Sequence, residues 1–406
     1  MGDYAVRPLR NEEEERAAFG LAKLVFHSGD SADERWELER DGFLGGRKVG
    51  AFAGDTVIGL AGSVATTLRV PGGADVTAAA VDGVVVRPDH TRRGVLTGMM
   101  RRQLDDCVAH GETVALLHAS ESAIYGRFGY GAATRAKDVR VRKVRARIRP
   151  DVPFEGQVRL LMPEEAVEAV PSLYRRLARR PGMIERPESW WHLYVQRLLG
   201  KVSGQYRVAV HRGVDGDDGF VVYQVTEERS MDDLFAGAVL DVGDLHGDGP
   251  AAVAGLWRFL LGVDLVDRVR APARPLDEHI GDLFAEPRAC ETYRVADHTW
   301  VRLVDVEAAL RARSYRRVEP VLIEVRDAFL PGNEGVYRIG SEGVERVAAQ
   351  PQLRMDVDTL AMLYLGDRRA ASLAVPGRIQ VEDRGALAQV DELFSTLESP
   401  WCGTFF

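Results

Sequence analysis

A chain of 406 residues exceeds what one hydrophobic core usually serves, so two or three domains are expected. With 53 basic against 61 acidic side chains the formal net charge is −8, a balance that argues against nucleic acid as the main partner and suits a cationic substrate, although mild acidity also serves solubility. No apolar run is long enough to span a bilayer, the opening around Asp3 and Glu12–Glu15 is acidic rather than a secretory leader, and Cys107, Cys290 and Cys402 show neither metal-ligand nor disulfide spacing, so a cytoplasmic protein without a metal or a membrane partner is expected.

In chain order, Tyr4–Leu9 reads as a strand and Glu12–Phe26 as a helix. Ser31 to Arg40 reads as a second helix, with Ser31 as cap and Glu34 three residues on. Gly54-Asp55 and Pro71-Gly72-Gly73 mark two hairpins. The strand Val84-Val85-Val86 then runs into a basic turn, Arg87 to Gly94, and a helix whose Leu96, Met99, Met100 and Leu104 share one face. A strand, a basic glycine turn and a helix N-terminus make an anion site: the first helical N–H groups lack intrahelical partners, and Arg92 and Arg93 add full charge. A pyrophosphate fits it. Cys107 reads as core filler. Val114–Leu117 is a buried strand, Ser120 and Glu121 open a short helix reaching Tyr125, and Gly126, Gly129 and Gly131 punctuate a turn around Phe128 and Tyr130.

Arg135 to Arg149 is basic, with Val139, Val141 and Val144 between charges; a strand with a solvated basic face is preferred over a nucleic-acid arm. The middle of the chain repeats the opening plan, with strands around Tyr206–Val210, Gly219–Val225 and Ala238–Val242 and a helix at Ala251–Leu260, but it has no second basic glycine turn. After about residue 300 come strands at Trp300–Val304 and Val321–Asp327, a hairpin around Gly340, a helix Thr359–Leu365 closed by Gly366, and a last helix Leu387–Leu397. The expected architecture is mixed α/β, divided at 1–145, 146–298 and 299–406.

The stretch from Val84 through ASESAIYGRFGYG resembles the GNAT N-acetyltransferases, and more narrowly the enhanced intracellular survival (Eis) family, which acetylates amines of aminoglycosides and other cations. LYLGDRRAASLA is similar to that family's sterol-carrier-like C-terminal domain. Thr91-Arg92-Arg93-Gly94-Val95-Leu96 departs from R/Q-x-x-G-x-G/A at its first and last positions. The resemblance implies a catalytic GNAT domain, a GNAT-like scaffold domain and a sterol-carrier-like domain assembled as a hexamer, with acetyl-CoA as co-substrate. It implies coenzyme contacts from Val84, Val85, Val86, Arg92, Arg93, Gly94, Val95, Leu96 and Ser120. Tyr125 would be the general acid, with Tyr130 its rival, and the terminal carboxylate of Phe406 would help deprotonate the amine. Phe26, Trp36, His118 and Glu121 would line the acceptor pocket, with Trp36 stacking on a cation or sugar and Asp30, Asp33 and Glu34 attracting ammonium groups. His118 is otherwise a hydrogen-bonded structural residue. The two terminal aromatics argue against a loose tail and are expected to be buried. Phe405 stands where the family often carries an acidic residue, which points to a narrower or more apolar range of amines. Protein lysine acetylation, or a non-catalytic ligand- or lipid-binding role on the same scaffold, are the alternatives.

Overall fold

The computed structural model describes residues 4–28, 32–177, 179–200, 205–227 and 237–406. The chain divides into two compact units, one gathering 1–134, 180–190 and 297–406, the other 135–179 and 191–296. The first opens with β1 (Ala5–Pro8), α1 (Glu12–Val25), α2 (Ala32–Leu44), β2 (Arg47–Ala53), β3 (Thr56–Arg69) and β4 (Asp75–Val86). It continues with α3 (Val95–Ala109), β5 (Val114–His118), α4 (Ser122–Tyr125) and β6 (Tyr130–Ala132). Helix α1 starts where Asn11 accepts a hydrogen bond from the Glu14 N–H, and four glutamates in its first turn complement the dipole. Ser31, the expected cap of α2, lies outside the described residues.

The sheet of this unit has seven strands in the order β1-β2-β3-β4-β5, then Thr299–Leu303, then β6. Trp300–Val304 reads from sequence as the opening of the C-terminal part; the structure instead puts Thr299–Leu303 inside this sheet, antiparallel to both β5 and β6. All five of its residues are buried, which requires cover on both faces. Strands β4 and β5 pair in parallel only through Ala78–Ala80 and Val114–Leu116. Beyond that β4 bulges against β3 at Gly83, φ +58°, and stays paired with β3 through Val85 and Val86. The two parallel strands therefore part company, and Val84–Val86 present main-chain groups to the gap.

In the second unit, β7 (Arg135–Arg142), β8 (Gln157–Leu161), β9 (Arg207–Gly213), β10 (Gly216–Glu227), β11 (Ala238–Gly247), β12 (Val266–Arg274) and β13 (Cys290–Asp297) form one sheet. Its order is β13-β7-β12-β11-β10-β9-β8. The basic stretch is thus a strand, with Val139 and Val141 in the core and Arg142 on the surface. Thr299–Leu303 is β14 in this numbering.

The first unit also holds a five-stranded sheet, ordered Gly343–Val347, Gly335–Gly340, Val321–Arg326, Leu353–Asp356, Ile379–Val381. The helix Val357–Tyr364 is buried throughout except at Asp358, and Gly366 ends it at φ +91° with its N–H on the Leu363 carbonyl. Leu68, Val114 and Val301 share one hydrophobic cluster with Leu360, Leu363 and Val390, so the seven- and five-stranded sheets pack on a common core. Among the described residues no helix is long and apolar enough to cross a membrane.

Candidate active site

Between the separated ends of β4 and β5 the chain builds an anion cradle. Arg87 leaves β4 and pairs with Asp89 at 2.9 Å, Pro88–His90 make a 3-10 turn, and α3 follows. Arg92 and Gly94 both take the left-handed conformation, φ +62° and +83°. At Gly94 this conformation is free of strain, and a Cβ there would also sit 3.3 Å from the Tyr4 hydroxyl. Gly94 caps α3 and no side chain bonds the helix start, so its first N–H groups point to an outside acceptor. Arg92, Arg93 and Gly94 are exposed, Val95 is buried and Leu96 is half-buried. Val84 and Val86 are half-buried and Val85 lies in the core. Free backbone along β4, two cations and an uncapped helix start fit a pantetheine arm ending in a pyrophosphate.

Across the gap, β5 ends at His118, followed by exposed Ser120 and Glu121. Glu121 is the N-cap of α4, which carries Tyr125. Burial, and secondarily the Glu121 charge, push the Tyr125 phenol above its ordinary pKa of 10.0. Tyr130 lies 6.0 Å away, ring to ring, and is sealed: its hydroxyl is buried without a hydrogen-bond partner. Of the two, only Tyr125 retains exposure, at 6 %.

The tail 401–406 arrives at this same place. The His118 ring is held between two carbonyl oxygens, with Nδ1 3.0 Å from His298 O and Nε2 3.0 Å from Thr404 O. The Phe406 ring is 4.6 Å from His118 and stacks on Trp190 at 5.1 Å. Phe406 is part-buried as the sequence suggests, but Phe405 is 83 % exposed. The expectation that both rings are buried is corrected: Phe405 lays one face over His118, ring centroids 4.9 Å apart, and turns the rest to solvent. Burial lowers the His118 pKa below 6.5, against hydrogen bonding to the Thr404 and His298 carbonyls. His298 is pushed down to about 3, mainly by burial and then by His118.

Residues 5–133 and 182–303 match acetyltransferase (GNAT) domain models, and 306–403 match a sterol carrier protein domain. An N-acetyltransferase of Streptomyces coelicolor is 38 % identical over 97 % of this chain and 98 % of its own length. N-acetyltransferase Eis of Mycobacterium tuberculosis is 32 % identical over 86 % of this chain and 85 % of its own. The crystal structure of Eis1 from Mycobacterium abscessus superposes with a TM-score of 0.88 at 36 % identity, covering 99 % of this chain and 100 % of that one.

This chain belongs to the Eis family of GNAT acetyltransferases.

An Eis-family enzyme transfers an acyl group from coenzyme A to an acceptor, and a GNAT domain implies acetyl-CoA as co-substrate. The expected acceptor residues are only partly assembled here. His118 and Glu121 flank the gap, and Phe26, which ends α1, is 52 % exposed. Trp36, at 1 % exposure, packs edge-on against Phe19 (5.3 Å) and Phe43 (5.8 Å) between α1 and α2. Asp30 and the side chains of Asp33 and Glu34 lie outside the described residues.

The second unit differs at the corresponding place. Its parallel pair β11–β12 also stops early, at Asp241 and Arg270. There Arg274 donates to the Leu245 carbonyl at 2.9 Å and to Glu278 at 2.7 Å, occupying the free edge of β11. The turn before its helix carries Asp248 and places Pro250 first in the helix, where no N–H is left to offer.

Sequence reasoning missed Arg186, Trp190, His298 and Thr404. They come from segments far apart in the chain, and none carries a motif.

Proposed function

We propose that this Eis-family acetyltransferase acts on primary amines of cationic small molecules, aminoglycosides among them, by direct transfer within its first GNAT domain. Acetyl-CoA supplies an acetyl group on a thioester. Arg92, Arg93 and the N–H groups of Gly94–Leu96 hold the pyrophosphate, Val84–Val86 and Ser120 align the arm, and the β4 main chain polarises the acyl carbonyl. The amine must attack neutral. The Phe406 carboxylate accepts its proton as the C–N bond forms, and Tyr125 delivers a proton to the sulfur as the C–S bond breaks. Tyr125 suits that step because a phenol, reference pKa about 10, stays protonated where a thiol, about 8.5, does not, and burial widens the difference.

One observation carries this reading: the tail lies against His118 at the end of β5, on the strand that leads into α4 and Tyr125. The net charge of −8 supports a cationic acceptor. Acid and Arg274 at the counterpart place support a scaffold role for 146–298, with 1–145 catalytic and 299–406 completing the site. The sterol-carrier match gives a fold and no lipid. Family resemblance carries with it a cytoplasmic homohexamer, which light scattering tests.

The test is thiol release from acetyl-CoA over a panel of aminoglycosides, simple amines and lysine peptides. Aminoglycosides are expected to lead. Preference for lysine peptides would move the acceptor to protein, and release with no amine would overturn the reading.

A further inference from the structure

A six-residue tail has no fixed course of its own, yet the proposed proton acceptor sits on its last residue. The segment 180–190 supplies the course. That segment is itself fastened to β3: the Gly182 N–H donates to Arg69 O and the Arg69 N–H to Met183 O, both at 2.8 Å, and the Thr66 hydroxyl donates to Glu185 O at 2.6 Å. It also grips the tail. The Trp401 N–H donates to Pro181 O at 2.8 Å. Gly182, at φ +94°, lets the tail backbone come so close that a Cβ would lie 2.8 Å from Trp401 N. Arg186, 7 % exposed, donates Nε to the Thr404 hydroxyl at 2.9 Å and Nη2 to Gly403 O at 3.1 Å. Trp190 then lies nearly flat on Phe406, at 12°.

We propose that Arg186 is a positioning residue for catalysis, fixing the terminal carboxylate through Thr404 and Gly403. This rests on the reading that the Phe406 carboxylate accepts the amine proton. The physical reason is the guanidinium fork: two N–H groups in a rigid plane fix both the direction and the roll of the strand they hold, which one point charge does not. Gly403 lies at φ +66°, a left-handed turn that glycine takes without strain, and being a glycine it does not by itself fix the course of the last three residues towards His118. The anion cradle lies elsewhere in the unit, so Arg186 has no direct part in holding the co-substrate.

The experiment is steady-state kinetics on the full chain with four changes: Arg186→Ala, Arg186→Lys, Thr404→Val, and one glycine added after Phe406. Arg186→Ala is expected to lower kcat by roughly ten- to a hundredfold, the scale of a misplacement of about 1 Å, with the KM for acetyl-CoA unchanged. Arg186→Lys restores part of the loss. The deficit shrinks as pH rises, because hydroxide and buffer bases then take the amine proton in place of the misplaced carboxylate. In the glycine-extended chain, Arg186→Ala adds less than about twofold, because both changes act through the same carboxylate. Should Arg186→Ala fail to fold, Thr404→Val takes the hydroxyl off the tail instead and gives the same signature, more mildly.

Full activity of the glycine-extended chain would overturn the carboxylate reading and this proposal with it. Loss on extension, with wild-type kcat for Arg186→Ala and Thr404→Val, would overturn the role of Arg186 alone. An equal loss in both backgrounds would also overturn it, since Arg186 would then act by another route.

Discussion

Asp327→Ala is the sharpest test of how the sterol-carrier-like part supports the tyrosine turn. Arg302 and Asp327 are 0 % and 1 % exposed, and Nη2 of the arginine reaches both carboxylate oxygens, at 2.8 and 2.7 Å. The carboxylate also accepts from the N–H groups of Phe329 and Leu330 and from Asn333 Nδ2. On the other side, Arg302 is paired in register with Tyr130 and packs under Gly129 so closely that a Cβ there would lie 2.8 Å from the guanidinium. Removing the carboxylate leaves a buried cation and three donors without it. Breaking a buried pair costs about 3–5 kcal/mol, against a total of about 5–15 kcal/mol for a typical domain. Denaturant titration should therefore show a loss near 4 kcal/mol for the first unit. Arg302 Nε already lacks a partner, so the double change Arg302→Met with Asp327→Leu should recover most of the loss, the pattern of an ion pair that specifies geometry more than it adds stability. A cost below about 1 kcal/mol for Asp327→Ala would refute the argument, because a dry, uncompensated guanidinium is not that cheap.

Tyr125→Phe should spare acetyl-CoA binding by calorimetry and lower kcat by roughly 10²–10⁴, whereas Tyr130→Phe should keep its rate and melt no lower, since it removes a hydroxyl that has no partner. The opposite result would exchange their roles. Arg92→Ala with Arg93→Ala should weaken acetyl-CoA binding by one or two charge-assisted contacts, each about 1.5–3 kcal/mol, and unchanged affinity would remove the cradle. Stability should fall on acidification. His298 has its folded pKa depressed from 6.5 to about 3 and His118 is depressed too, so the unfolded chain binds more protons in that window and unfolding becomes easier as pH drops from about 6.5 towards 3. Melting of His298→Gln against wild type across that window should show a shallower slope in the variant.

What the sequence discloses is what its chemistry makes local. The turn Arg87–Gly94 and the face of Leu96, Met99 and Leu104 were legible because a helix period, a left-handed glycine and a charge cluster all act within about ten residues. The short helix that carries Tyr125 was legible through its family motif. Val301 gave no sign of its destination: a buried apolar strand reads alike whichever sheet receives it. The surroundings of Trp36 were not legible, because an aromatic on a helix serves a core or a pocket equally well until its neighbours, Phe19 and Phe43, are placed. Phe405 was misread because burial was argued from hydrophobicity alone, while the six-residue tail, held by its backbone and by Phe406, seats one terminal ring in the cluster and leaves the other outside. Arg186 was invisible because its partners lie at the far end of the chain.

The placement of β14 has a consequence during synthesis. Strand β5 leaves the ribosome about 180 residues before the strand that sits beside it, so at ~5–20 residues per second its edge stays open for roughly ten to forty seconds. A somewhat shorter interval, about 150 residues, separates β7 from β13 at the margin of the other sheet. Neither sheet can close until nearly three quarters of the chain exists, and no stop between them yields a finished domain. Nascent chains of this protein carry one edge of Val114–Leu117 open for that time, which makes yield in a foreign host depend on elongation rate and on chaperones that cover open strands.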